Sequence, residues 1–258
     1  MYIDIHAHLT DKIYGGKVGE ILSLAKSEKV ELIVDSGYSI SSCQKAFENA
    51  NQFSQVFCTL GIHPEKPGEL TETFKAELEK MLLNSKCIGV GEIGLDYHYV
   101  GYDKNLQKKA FLEQIELANR LKMPFVVHSR DASKDMADFL TANKSLINNG
   151  FLMHCYSESI EQSKTYLNLG GYFSFGGVLT FKNSKRDEVL KAIPIDRILA
   201  ETDCPYLSPH PFRGQINYPS RVKLVYEKMA ESLKIDVETL SNTISKNAVS
   251  LFPKLCKK

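Results

Sequence analysis

No CxxC pair occurs among the six cysteines, Cys43, Cys58, Cys87, Cys155, Cys204 and Cys256. They are scattered, several within apolar runs, which argues against a disulfide framework and for reduced, packed thiols in a reducing compartment. Net charge is also missing: 32 basic residues stand against 31 acidic ones, with a pI near 7.6. No global basic field therefore draws in nucleic acid or a membrane, and any anionic substrate must be held locally. The opening MYIDIHAHL has no basic segment followed by a long apolar one, and nowhere do about 18 apolar residues run together. A soluble cytoplasmic protein without membrane contact is the expectation. No Pro/Gly/Ser-rich tract, compositional shift or short repeat interrupts the chain, which argues against interdomain linkers and against a solenoid.

What is present is a βα rhythm. With 258 residues and 43% hydrophobic composition the chain can bury a sizeable core, and a barrel of about 250 residues is a normal single domain. Short runs rich in β-branched residues alternate with amphipathic stretches. Strands are expected near residues 2–6, 31–35, 55–60, 87–92, 124–128, 150–154, 171–174 and 197–201. Helices are expected over Gly19 to Lys29, Thr71 to Asn84, Asn105 to Leu121 and Ile160 to Leu169, with two more after Pro219. Eight such units predict one α/β domain over 1–258, a TIM (β/α)8 barrel.

The chemistry is written at the strand ends. In IDIHAHL, period-two alternation puts Asp4, His6 and His8 on one face and Ile3, Ile5 and Ala7 on the other. Two imidazoles then point together from the carboxyl end of the first strand, where barrel enzymes keep their active sites, and their spacing suits one metal ion. An isolated HxH is more often accidental, but four further groups end strand candidates alike: Glu92 in IGVGEIGLD, His128 in PFVVHSRDA, His154 in GFLMHCYS and Asp203 in RILAETDCPY. A barrel brings those ends together. Nitrogen and carboxylate ligands without thiolate fit zinc, manganese, cobalt or iron and permit magnesium. Six ligands suffice for two divalent ions, a setting in which a water is activated for hydrolysis. Cys155 and Cys204 adjoin two of these residues, and alternation turns both to the opposite face, where they pack.

The motifs HAHL, GIHPE, GEIGLDY, HSRDA, HCYS, ETDCPYL and FRGQINYP, in order from residue 4 to about 219, closely resemble the TatD family of metal-dependent deoxyribonucleases. SKNAVSLF is similar to the family's closing segment, so the resemblance covers nearly the whole chain. It implies a barrel of the amidohydrolase-like metal-dependent hydrolase type that cleaves DNA phosphodiesters, commonly from the 3′ end; single-stranded or frayed DNA is the expected partner, and no obligate protein partner is inferred. It further implies that His6 and His8 bind one ion (Mg, Mn or Zn), that Glu92 bridges, and that His128 and His154 bind a second. Asp203 would ligate metal and orient the attacking water, making Asp203 and Glu92 the catalytic pair.

Around these, Glu201 is expected on the inward face two residues before Asp203, as a partner to a metal ligand or as half of a buried salt bridge. Arg130 and His63 are candidates for the substrate phosphate, against pairing with Asp131 and capping before Pro64 respectively. Asp96 could orient Arg130 or a substrate group, and Tyr97, His98 and Tyr99 offer rings for base stacking. Arg213-Gly214-Gln215-Ile216-Asn217-Tyr218-Pro219 departs from the family's RGKRNEP type, with two positive charges and one negative missing. If that loop grips backbone, Arg213 and Asn217 remain to do so, and polyanion binding is weakened. The competing reading is a dinuclear hydrolase of a small amide, lactone or ester, since fold and metals do not fix the substrate. Against it, Glu92 stands where several barrel amidohydrolases place a carbamylated lysine. A non-catalytic binding protein would be expected to have lost ligand positions, and none is lost.

Overall fold

A computed structural model describes residues 1–256. Eight parallel strands, β1 (Tyr2–Ala7), β2 (Val30–Gly37), β3 (Val56–Leu60), β4 (Cys87–Asp96), β5 (Phe125–Arg130), β6 (Phe151–Met153), β7 (Gly171–Phe175) and β8 (Ile198–Ala200), pair in sequence order. The seam between β8 and β1 is drawn together beyond the last ladder: Asp203 N–H donates to the His6 carbonyl at 3.0 Å and His8 N–H to the Cys204 carbonyl at 2.8 Å. Buried Asp4 locks the same seam, accepting from Thr202 N–H at 2.8 Å and from the Thr202 hydroxyl at 2.5 Å. The nearly closed ring is a (β/α)8 barrel, and its eight strands fall where alternation predicts them.

Nine helices, α1 (Val18–Ser27), α2 (Ile40–Gln52), α3 (Glu72–Leu82), α4 (Lys104–Arg120), α5 (Ser133–Ala142), α6 (Ile160–Asn168), α7 (Arg186–Ala192), α8 (Val222–Leu233) and α9 (Val237–Leu251), occur among the described residues. Several start where a side chain can satisfy the first free amides. Ser39 and Ser42 form a reciprocal capping box on α2, while Thr71, Asp103, Ser159 and Asp236 cap α3, α4, α6 and α9. Among the described residues no helix is long and apolar enough to cross a membrane. All six cysteines are free.

Two positions fix how the mouth is built. Gly91 and Gly94 have φ of +146° and +149°, and a Cβ at Gly94 would lie 2.0 Å from the His128 carbonyl oxygen. Glycine thus lets β4 press against β5 through an irregular register between Val90 and Ile93. The strand runs on to Asp96, four residues past its expected end at Glu92.

Candidate metal centre

Glu92 is the hub. Its Oε1 lies 2.8 Å from His128 Nδ1 and 2.8 Å from His154 Nε2, while its Oε2 faces His6 Nε2 at 3.5 Å and His8 Nε2 at 3.6 Å. Asp203 Oδ1 stands 3.2 Å from His8 Nε2 and 3.8 Å from His6 Nε2. Three overlapping groups, His6/His8/Asp203, His6/Glu92/His154 and His63/Glu92/His128, each keep their ligand atoms within 4.8 Å of one another. The cluster forms part of the wall of a cavity of ≈ 620 Å³ that also takes in Tyr38, Tyr99, Arg130 and Tyr206.

The imidazoles are held by their outer nitrogens. His8 Nδ1 lies 2.9 Å from the Ser36 carbonyl, which can only accept, so His8 carries its proton there and turns the Nε2 lone pair inward. His6 Nδ1 meets the Ser36 hydroxyl at 3.1 Å, itself accepting from Thr59 Oγ1. His154 Nδ1 and Glu201 Oε1 are buried, lack other partners and lie 3.6 Å apart, while Glu201 Oε2 accepts from the Ser174 hydroxyl. This is the arrangement by which a carboxylate orients a ligating histidine. His63 is reversed: its Nδ1 accepts from the Glu65 amide at 3.1 Å, which leaves the proton on Nε2, 3.5 Å from Glu92. A donor set of imidazole nitrogen and carboxylate oxygen with fixed tautomers fits a divalent cation.

Without a metal, carboxylates and imidazoles neutralise one another. Burial opposes charge on His8, but its contact with Asp203, together with Glu92, raises its pKa to about 9. Burial likewise opposes charge on His154 and His128; Glu92 and Glu201 overcome it at His154, Asp96 and Glu92 at His128, and both pKa values rise. Glu92 is held well below its ordinary range despite burial, chiefly by the charge of His154 and by hydrogen bonds from His128 and His154. Burial, reinforced by His128, lowers His63 to about 3 and keeps it neutral.

The structure brings His6, His8, Glu92, His128, His154, Asp203, His63, Asp96 and Glu201 to one barrel mouth, and departs from expectation elsewhere. Asp96 does not orient Arg130: as the end of β4 it grips His128 Nε2 at 2.9 Å and accepts from the His98 amide. Arg130 does not pair with Asp131, which takes His98 at 2.8 Å; its guanidinium is exposed at the cavity, 5.6 Å from the Tyr99 ring. Tyr97 donates to Asp135 under Lys104 and is spent on packing, leaving Tyr99 of that trio lining the cavity. Arg213 does not line the cavity and instead covers Phe181 at 4.6 Å. Asn217 is wholly buried, its amide donating to the Thr202 and Tyr206 carbonyls, so it shapes the Asp203 loop and contacts no substrate.

Cys155 corrects the alternation argument. β6 stops at Met153, and Cys155 takes φ +45°, which turns it into the cavity wall. Burial, with Glu201, Asp203 and Glu92 around it, drives its thiol pKa well up, so it stays protonated. Cys204 packs, wholly buried, as expected. Ser36 and Asp35 escape a reading of the sequence alone. Ser36 anchors His6 of β1 and His8 just beyond it, and Asp35 accepts from the Leu9 amide at 2.9 Å. Their only signal is the polar DS closing the apolar run of β2.

The sequence profile of the TatD related DNase family matches residues 3–253. An uncharacterised metal-dependent hydrolase of Bacillus subtilis is 39% identical, covering 98% of this chain and 99% of that relative. The crystal structure of a TatD homologue from Escherichia coli superposes with a TM-score of 0.91 at 26% identity over 98% of each chain. An organophosphorus hydrolase from Deinococcus radiodurans, 14% identical with a TM-score of 0.63 over 97% of this chain and 92% of its own, shares the barrel. The chain belongs to the TatD related DNase family and is a metal-dependent hydrolase.

Proposed function

We propose that the chain cleaves DNA phosphodiesters, removing nucleotides from the 3′ end of single-stranded or frayed DNA with two divalent ions. One observation carries this reading: the two oxygens of Glu92 face separate histidine pairs, His6/His8 and His128/His154. His6, His8 and Asp203 would hold one ion and His128 and His154 the other, with Glu92 shared between them. Bound divalent ions supply Lewis acidity and ease the deprotonation of water.

The chain's own residues supply the rest. Asp203, kept ionised by His8 against the effect of burial, orients the attacking water through its carboxylate rather than acting as a strong base. Arg130 has no carboxylate within 4.0 Å among the described residues and stands free to grip a non-bridging phosphate oxygen. Neutral His63 directs its Nε2 proton into the same space, where it can donate to oxygen as charge develops. Tyr99 and Tyr206 present rings at the mouth, and the cavity has room for a terminal nucleotide. An exposed guanidinium beside the cluster suits a phosphodiester better than a neutral amide or lactone.

The test is degradation of end-labelled single-stranded DNA by metal-stripped protein with Mg, Mn or Zn restored, and Asp203→Asn as control. Laddering from the 3′ end that needs both the metal and Asp203 is expected. Asp203→Asn should keep its fold and lose most turnover. Inactivity with every metal at verified occupancy would overturn the nuclease reading in favour of a small-molecule hydrolase.

A further inference from the structure

The chain's near-neutral balance, 32 basic against 31 acidic residues, means that long-range attraction for a polyanion must come from a local excess of cations. One such excess adjoins the metal cavity. Val178 and Leu207 belong to the cavity wall, and the segments that carry them leave together: the Thr180 hydroxyl accepts from the His210 amide at 2.8 Å, and Arg213 lies 4.6 Å over the Phe181 ring. Phe181-Lys182-Asn183-Ser184-Lys185-Arg186 then runs outward.

Lys182, Lys185, Arg186 and Arg213 have no carboxylate within 4.0 Å among the described residues, and Lys182, Lys185 and Arg213 are exposed. The acid next to Arg186 is occupied elsewhere: Asp187 accepts from the Ser232 hydroxyl at 2.9 Å and faces Lys228 at 3.7 Å. Arg186 Nε is buried with no acceptor, while the side chain as a whole is part-exposed, so the guanidinium is anchored at the surface without a carboxylate partner. Arg130 marks the cavity wall at the end of β5, and this second group of cations begins past its other side at β7.

We propose that Lys182, Lys185, Arg186 and Arg213 form a phosphate track that holds the single-stranded polynucleotide outside the metal cavity, several nucleotides away from the bond being cut. The proposal rests on the phosphodiester reading above. Contacts to phosphate alone carry no base information, so the track grips DNA and RNA of one sequence alike and leaves discrimination to the cavity. Phe181, stacked under Arg213, is the floor of this track.

Binding of labelled DNA and RNA strands to Asp203→Asn protein, in which the strand stays intact, is measured by fluorescence anisotropy across a salt series. Each phosphate contact to a single strand contributes about 0.7 to the slope of log affinity against log salt. Lys182→Gln/Lys185→Gln/Arg186→Gln should therefore flatten the slope by about 2 and weaken binding at low salt by about tenfold or more, for both strands. Lys182→Glu/Lys185→Glu, at two exposed positions, should weaken it further, and thermal unfolding checks that each variant is folded. Lys134→Gln, on the exposed face of α5, keeps the parental slope. Folded variants with the parental slope overturn the track. A flattened slope for DNA alone overturns its indifference to the sugar. Hydrolysis of bis(p-nitrophenyl) phosphate by the wild-type protein reads the chemistry separately. If it fails while binding stays salt-steep and sensitive to the track variants, the phosphodiester reading falls and the track stands. Cleavage by the wild type together with insensitive binding removes the track and leaves the phosphodiester reading in place.

Discussion

Replacing Glu201 tests how the centre is held together. The residue is fully buried, with Oε2 on the Ser174 hydroxyl and Oε1 aimed at His154 Nδ1 from 3.6 Å. In Glu201→Gln the amide nitrogen can donate to Ser174 and the carbonyl oxygen still faces His154, so shape and polar pairing survive and only the charge goes. Partners of ligating histidines are worth about 10–100-fold in metal affinity or activity. Retention of a neutral acceptor puts this variant at the lower end, about tenfold or 1.4 kcal/mol. Glu201→Ala also strands a buried N–H and opens a cavity, so about 100-fold in affinity and about 2–3 kcal/mol of stability are expected. Calorimetric titration of stripped protein with Zn or Mn reads affinity, and turnover at saturating metal reads chemistry. Glu201→Gln should bind more weakly and recover its turnover once saturated. Unaltered affinity, or turnover lost at full occupancy, would refute the claim that Glu201 acts through His154.

Arg130→Ala should lower kcat/KM on DNA by about 10–100-fold, the value of one charge-assisted hydrogen bond, with metal content unchanged; loss of metal on elemental analysis would contradict a phosphate contact. His63→Ala should lower kcat by about 10²–10³, as removal of an oxyanion donor does, again at full metal content. One ion lost per chain would instead make His63 a ligand and invert the tautomer assigned from the Glu65 amide. Metal binding at pH 7 should release protons, because His8, with a pKa of about 9, and His154, raised well above its ordinary value by Glu92 and Glu201 despite burial, are charged in the stripped protein and must be neutral to coordinate; His128 is shifted in the same direction. Affinity should climb by about tenfold per pH unit for each proton displaced, with the His8 contribution levelling off above about pH 9. The His8 ion pairs stabilise the stripped fold fully below its ordinary value of 6.5 and cease to do so as pH rises through about 9. Calorimetry in two buffers of different ionisation enthalpy, giving identical heats, would contradict the charged state.

Strand periodicity and ligand chemistry made the barrel and the convergence of His6, His8, Glu92, His128, His154 and Asp203 legible, because each of these residues directly follows or ends an apolar run. That signal says where a strand reaches the mouth and is silent on how far it continues. β4 extends to Asp96 because Gly91 and Gly94 let it follow β5 beyond Glu92. Asp96 is thereby a partner of His128 instead of a loop acid beside Arg130. At β6 the error has the opposite sign. The strand stops at Met153, and alternation carried two residues further misplaces Cys155, whose left-handed backbone no apolar pattern announces.

Charge positions were legible as composition and not as geometry. Arg213 looks like a substrate grip in FRGQINYP, yet the ring of Phe181, thirty-two positions earlier, decides where it lies. Asn217 in the same motif is consumed by two carbonyls of the Asp203 loop. The departure of this segment from the family's charged pattern therefore bears less on the cavity than its position in the motif implies. The missing charges belong to a loop whose buried member holds Asp203 in place and whose surviving cation joins the β7 segment. A polyanion that leaves the cavity on this side meets Lys182, Lys185 and Arg186, and restoring lysine at Gln215 should strengthen strand binding without altering turnover of a small diester. A change in that turnover, with no gain in strand affinity, would mean that the loop reaches the metal cavity after all.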